Sequence, residues 1–237
     1  MRFLPLLLAN LLRKKIRTVL TIGSFAIAFF LFGLLATLRG SFQQGVEVAG
    51  ADRLVVINKV SLIQPLPISY RDRLLKVPGV VAATYASWFG GVYQDEKNFF
   101  AQYAIDRETY RAMFPEFEVP EQQWQAFLAD KQAAIAGEST ARRFGWKAGD
   151  RIPIKGSYYS GTWEFNLVGV YRGRRPQDDA TQFWFRSDYL EEKGPPEWRG
   201  YVGWYTVRIA DPGQAVHVVR AIDERFANSP WETRTNT

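Results

Sequence analysis

The sequence predicts an α+β domain held behind a single membrane helix, on three observations. An uncharged run stretches from Thr18 to Leu38, strand-like and capped helix-like segments alternate from Arg53 onward, and a strand passes directly into a helix around Asp211. The uncharged run has 21 residues. At ~1.5 Å rise per residue it forms a helix about 31 Å long, enough to cross the hydrocarbon of a bilayer. Twelve of its residues are Val, Ile, Leu or Phe, and at roughly −0.3 to −0.6 kcal/mol each they favour insertion by several kcal/mol.

The flanks set the expected orientation. Residues 1–39 carry six Lys or Arg and no Asp or Glu, with Arg13, Lys14, Lys15 and Arg17 crowded just before the span. The excess of positive charge places this end in the cytoplasm and everything after Arg39 outside. A cleaved signal peptide shares the basic start, but its apolar region is shorter, ~7 to 15 residues, and ends at a small-x-small site. Here the run enters Thr37-Leu38-Arg39, so the reading is an uncleaved signal-anchor. Leu4, Leu7, Leu8, Leu11 and Leu12 recur at helical spacing, giving residues 1–17 the pattern of an amphipathic elbow on the inner membrane surface. Within the span, Ser24 and Ala28 form one small-xxx-small pair and Gly33 and Thr37 another, faces that permit close packing against further membrane helices.

Beyond the anchor, Arg53 to Asn58 reads as a buried strand, and Ser69 to Asp72 as a capping-box start of a short helix that ends before Pro78-Gly79. A strand from Val80 to Phe89 turns at Gly90-Gly91 into an extended stretch through Phe99 to Ile105, a hairpin. Asp106 to Phe114 and Pro120 to Asp130 read as helices, Ala133 to Ala136 as a strand, and Ser139 to Phe144 as a short helix closed by Gly145. Strands follow at Arg151 to Lys155, Trp163 to Tyr171 and Thr181 to Phe185. Tyr201 to Ile209 is a strand, and Asp211-Pro212-Gly-Gln214 supplies an N-cap and a first-turn proline to a helix whose Ala215, Val219, Ile222 and Phe226 share one face.

Composition excludes several functions. The net charge of +6 resembles that of a nucleic-acid binder, yet setting the six basic residues of the anchor aside leaves 24 basic against 24 acidic ones. Basicity here is topology, and no nucleic-acid partner is expected. Cysteine is absent, which removes disulfides and thiol chemistry. No phosphate-loop, nucleophile-elbow or H-E-x-x-H motif occurs, and the lone His217 lies mid-helix. Asp95-Glu96, Asp178-Asp179 and Glu191-Glu192 are adjacent pairs whose side chains diverge, so no catalytic residue, metal site or cofactor site is assigned. Two features read as partner surface or as ordinary structure. The basic loop Arg172 to Asp179, with Arg174 and Arg175, suits an anion or a solvated turn with internal charge pairing. Aromatics bunch at Tyr85 to Tyr103, including Trp88 and Tyr93, and at Trp198 to Tyr205, suiting a sheet core or a surface for a partner or apolar substrate.

Several segments together resemble one family. N-L-L-R-K-K-I-R-T-V-L-T-I (Asn10 to Ile22), I-S-Y-R-D-R-L-L-K-V-P-G-V (Ile68 to Val80), A-I-A-G-E-S-T-A-R-R-F-G-W-K-A-G-D-R-I-P (Ala134 to Pro153), F-N-L-V-G-V-Y (Phe165 to Tyr171) and the closing G-Y-V-G-W-Y, A-D-P-G-Q-A and F-A-N-S-P are similar, in the same order, to the MacB-like and FtsX-like ABC transporter permeases. The resemblance implies a membrane helix at 18–38 and a two-lobed periplasmic core domain at 39–237, with one lobe from 45–105 and 201–237 and an inserted lobe at 106–200. It implies a non-enzymatic subunit of the bacterial inner membrane, paired with a cytoplasmic ATPase that binds ATP and with a second permease copy. A periplasmic membrane-fusion protein is a further partner by analogy. Such permeases carry three more membrane helices, so the resemblance also implies an N-terminal fragment. A stand-alone, signal-anchored binding or assembly module is the alternative.

Overall fold

A computed structural model describes residues 15–48, 50 and 52–237, with the side chains of all but 36–48. The chain divides into two units, Met1–Gly50 and Ala51–Thr237. The described part of the first is one helix, α1 (Lys15–Val48). From Lys15 to Leu35 it is long and apolar enough to cross a membrane, and none of that stretch is buried in protein. The helix continues past the expected span to Val48. Gly40 costs a helix only about 1 kcal/mol, and no proline occurs between Pro5 and Pro65 to break it. Arg13, Lys14 and the elbow before Lys15 lie outside the described residues.

The second unit runs in order through β1 (Arg53–Asn58), β2 (Leu66–Pro67), α2 (Tyr70–Leu74), β3 (Val80–Trp88), β4 (Gly91–Val92), β5 (Gln102–Ile105), α3 (Tyr110–Met113), β6 (Phe117–Glu118), α4 (Glu121–Ala129) and β7 (Ala133–Gly137). It continues with α5 (Glu138–Phe144), β8 (Arg151–Gly156), β9 (Thr162–Gly173), β10 (Phe183–Arg186), α6 (Ser187–Lys193), β11 (Tyr201–Val202), β12 (Trp204–Ile209), α7 (Ala215–Phe226) and β13 (Thr233–Asn236). One twisted sheet carries most strands in the order β13-β1-β12-β3-β5-β10-β7-β9-β8-β4, with β6 on β9, and β2 pairs β11 separately. Pairing is antiparallel except for β5 with β10 and β7 with β9. The fold is the expected mixed α+β class.

Two local signals work as their chemistry requires. Gly145 ends α5 in the left-handed region at φ 70°, so that Trp146 N donates to Ala141 O at 2.8 Å. Asp211 is extended and its carboxylate accepts from Gly213 N at 2.9 Å, opening a 3₁₀ turn that leads into α7. Other expectations are corrected. Ser69 sits in the helical region and its hydroxyl makes no cap bond, because an N-cap must be extended to turn its oxygen onto the first amides. The helix expected over Asp106 to Phe114 contracts to α3, since Asp106 instead binds its oxygens to Glu108 N and the Thr109 hydroxyl as a local turn. β3 and β5 do pair as antiparallel neighbours, but Gly90-Gly91 is not their hairpin turn. The buried Gln102 side chain takes both backbone groups of Gly91, at 2.7 and 2.9 Å, and β4 goes on to pair with β8. The strand expected over Tyr201 to Ile209 breaks at Gly203, whose N–H donates to Ser87 Oγ at 2.9 Å.

Burial separates into compositionally distinct cores. Leu54, Val56, Leu74, Val207, Ile222 and Phe226 pack where α2 and α7 cover the β1, β12 and β3 region. Phe89, Phe100, Trp146, Trp163, Phe165 and Phe183 fill a second core among β8, β9 and β10. A third, with Tyr110, Trp124, Phe127, Tyr171 and Trp184, lies under α3 and α4.

Candidate functional site

A cavity of about 580 Å³ opens in the folded unit, lined by eight aromatic side chains and, among the described residues, a single charged one, Glu191. Strand pairing builds one wall. The register sets Trp88 of β3 opposite Tyr103 of β5, and Trp204 of β12 opposite Ala86, so alternation puts these three rings on one face. Tyr103 meets Trp88 and Trp204 edge to face, at 5.6 and 5.4 Å between centroids. A second wall comes from the β8–β9 turn and the segment after α6, where Trp198 contacts Tyr158 and Tyr159 at 6.4 and 6.1 Å. Leu62 and Ile63 also line it, from the loop between β1 and β2, and are 59% and 64% exposed. Exposed apolar side chains converging on a concavity are a signature of binding sites.

Polar groups within this lining are few. Ser87 is committed to Gly203, and Glu191 Oε1 accepts from Gly200 N at 3.0 Å. Burial raises the Tyr85 phenol above its ordinary value, a hydrogen bond with Ser187 opposes this, and the charges of Asp106 and Glu191 outweigh that of Arg71 in raising it further. Tyr103 is raised by burial and then by Asp179, and burial pushes Tyr159 up to about 12. The cavity is therefore apolar and aromatic, with a carboxylate as its one charged lining group among the described residues. Among the described residues no three His, Cys, Asp or Glu stand where they could hold a metal ion.

The residues singled out in the sequence do not converge. Lys15 and Arg17 are exposed at the start of α1. Ser24 is exposed with its hydroxyl donating to Thr21 O at 2.8 Å, Ala28 is exposed, and a Cβ built on Gly33 meets no atom within 4 Å. The Thr37 side chain lies outside the described residues. Trp88 lines the cavity and is 37% exposed, whereas Tyr93 is buried in the aromatic core with its hydroxyl accepting from Trp146 Nε1 at 3.1 Å. Arg174 pairs with Glu118 at 3.0 Å, and Arg175 holds Asp178 by its side chain at 2.8 Å. The basic loop is thus charge-paired within the fold. Sequence reasoning passed over Tyr158, Tyr159 and the rim pair Leu62-Ile63. The available signal was an apolar pair within a loop otherwise broken by Ser61 and Pro65.

Comparison with known proteins agrees with this architecture. No curated protein matches the chain. The extracellular domain of a noncanonic ABC-type transporter, YknZ, from Gram-positive bacteria is similar in structure, with a TM-score of 0.54 at 12% identity over 78% of this chain and 100% of that one. The periplasmic region of MacB from Actinobacillus actinomycetemcomitans gives a TM-score of 0.54 at 15% identity over 81% of this chain and 91% of that one. At these identities the likeness speaks to fold. The family model of the MacB-like periplasmic core domain matches residues 18–225, and so the chain belongs to this family of ABC-type transporter permease domains.

Proposed function

We propose that the chain is the permease subunit of an ABC-type efflux or mechanotransmission system. Its anchor helix lies in the bacterial inner membrane with the basic end in the cytoplasm, and its folded unit stands in the periplasm as two lobes. A separate cytoplasmic ATPase supplies the energy, and a second permease copy completes the assembly. The observation that carries this reading is the family match running from within the apolar helix through α7, which joins anchor and folded unit in one family pattern. The chain's own contribution is then motion and contact, in keeping with a site of rings and few titratable groups.

The decisive experiment is affinity isolation of the tagged chain from native membranes. A co-purifying subunit with a G-x-x-x-x-G-K-[ST] phosphate loop and ATP hydrolysis in the eluate is the expected result. Isolation free of any such ATPase would favour the signal-anchored binding module. Orientation is tested separately by a reporter of membrane side fused after Arg53. Neutralising Arg13, Lys14, Lys15 and Arg17 together should send a measurable fraction of the reporter to the cytoplasmic side. An unmoved reporter would mean that these cations do not set topology.

A further inference from the structure

The lining of the aromatic cavity combines features that jointly select a ligand charge. Its volume of about 580 Å³ falls within the roughly 300–1,000 Å³ typical of small-molecule sites. Ring faces attract cations through their quadrupoles, and Trp does so most strongly. Trp88, Trp198 and Trp204 all line this space, together with five tyrosines. Its one charged lining group among the described residues is a carboxylate. Glu191 accepts a hydrogen bond from Gly200 N, and among the described residues it has no ion pair.

Basic side chains around this lining are engaged elsewhere, with Arg199 Nη2 donating to Glu192 O at 3.4 Å. Arg71 Nε donates to Ala83 O at 3.3 Å, and Lys193 Nζ donates to Thr162 O at 2.8 Å while lying over the Trp163 ring at 4.8 Å. Beyond the larger effect of burial, Asp106 and Glu191 raise the Tyr85 phenol against Arg71, and Asp179 raises that of Tyr103. An anion would face Glu191 uncompensated. A neutral apolar guest would leave the carboxylate partly desolvated with no charge to meet it, which is costly.

We propose that this cavity is a binding site for a small organic cation with an apolar body, its charge held by Glu191 and by the faces of the surrounding tryptophan and tyrosine rings. This goes beyond the transporter reading and does not depend on it, because binding to the chain requires neither ATP nor a partner subunit.

The test uses the full chain in nanodiscs of phosphatidylcholine, with empty discs as the blank, and two probes of matched shape and opposite charge, tetraphenylphosphonium and tetraphenylborate. Equilibrium dialysis, with tryptophan quenching as a second readout, should show one saturable site for the cation above the blank and none for the anion. Glu191→Gln keeps an acceptor for Gly200 N while removing the charge, and should weaken the cation about tenfold. Glu191→Asp should retain most of the affinity, and Trp88→Ala should lose roughly two- to fivefold, as expected for one exposed cation–π contact. Equal saturable binding of both probes, no saturable cation binding, or a folded Glu191→Gln chain with unchanged affinity would overturn the proposal. The cation-against-anion comparison on the unmodified chain decides the matter even if a variant fails to fold. A negative result here with an ATPase still co-purifying would leave the transporter reading intact.

Discussion

The core beneath α2 and α7 and the core among β8, β9 and β10 solve the same burial problem with different side chains. The first is chiefly aliphatic and joins residues 54–83 to residues 202–226 from the far end of the chain. The second draws only on residues 89–190 and is chiefly aromatic, with Phe165 alone meeting the rings of Phe89, Phe183, Phe185 and Tyr189 at 4.7 to 5.9 Å. Aliphatic chains interdigitate and relax when one is trimmed. Edge-to-face rings hold one another at fixed angles, so a gap among them is filled less readily.

That contrast gives the largest expected effect. Phe165→Ala should cost about 3–5 kcal/mol, at the upper end because four ring contacts vanish together. Ile222→Ala in α7 should cost about 2–4 kcal/mol. Urea denaturation of both variants measures the difference, and equal losses would show that the two cores tolerate cavities alike.

A smaller effect separates two glycines with positive φ, one bordering each core. Gly79, at φ +89°, has its missing Cβ aimed 2.9 Å from Cγ2 of the buried Val218, whereas Gly145, at φ +70°, has open space around it. Gly79→Ala should cost about 2 kcal/mol from backbone strain plus displacement of α7, and Gly145→Ala about 1 kcal/mol from strain alone. The shift in thermal midpoint ranks them, and a reversed order would place the strain in the aromatic region.

The smallest effect is a pH slope from one carboxylate of α6, in the aromatic half. Burial opposes ionisation of Asp188, but hydrogen bonding from Arg186 and the charges of Arg186 and Arg107 prevail and hold its carboxyl below the ordinary range. A depressed folded value means stability that is present above the unfolded carboxylate value of about 3.9 and lost as pH falls through the folded one. Acidification from pH 5 to pH 3 should therefore destabilise the native chain more than Asp188→Asn, measured by urea midpoints at each pH. Parallel losses would remove Asp188 from the acid response.

Much of the fold was legible because its signals are local. RLVVIN is a strand, Gly145 a stop and Asp211 a cap, each acting within a few residues. β13 was missed because Thr233 and Thr235, although buried in alternation, are polar. Their hydroxyls are satisfied by Asp223 of α7 at 3.1 and 2.8 Å, a partner no local window contains. α6 was missed although Ser187 and Gly194 bracket it, because the helix is barely two turns long and shows little periodicity. The cavity was illegible for a stronger reason. Its rings come from β3, β5, β11, β12 and two loops, and only the sheet order brings 88, 103, 158, 198 and 204 together. Tyr93 and Trp88, five residues apart in one aromatic cluster, end in different environments because the chain turns at Gly90 between them.

β1 and β13 run antiparallel side by side, with Val55 opposite Asn236. The first and last described strands of this folded unit are therefore neighbours, about 5 Å apart. Such a unit behaves as a cassette: a host chain can carry it at the cost of parting two backbone positions by one strand width. A circularly permuted version, with these ends joined by a short linker and new ends cut in an exposed loop, should keep both cores whole.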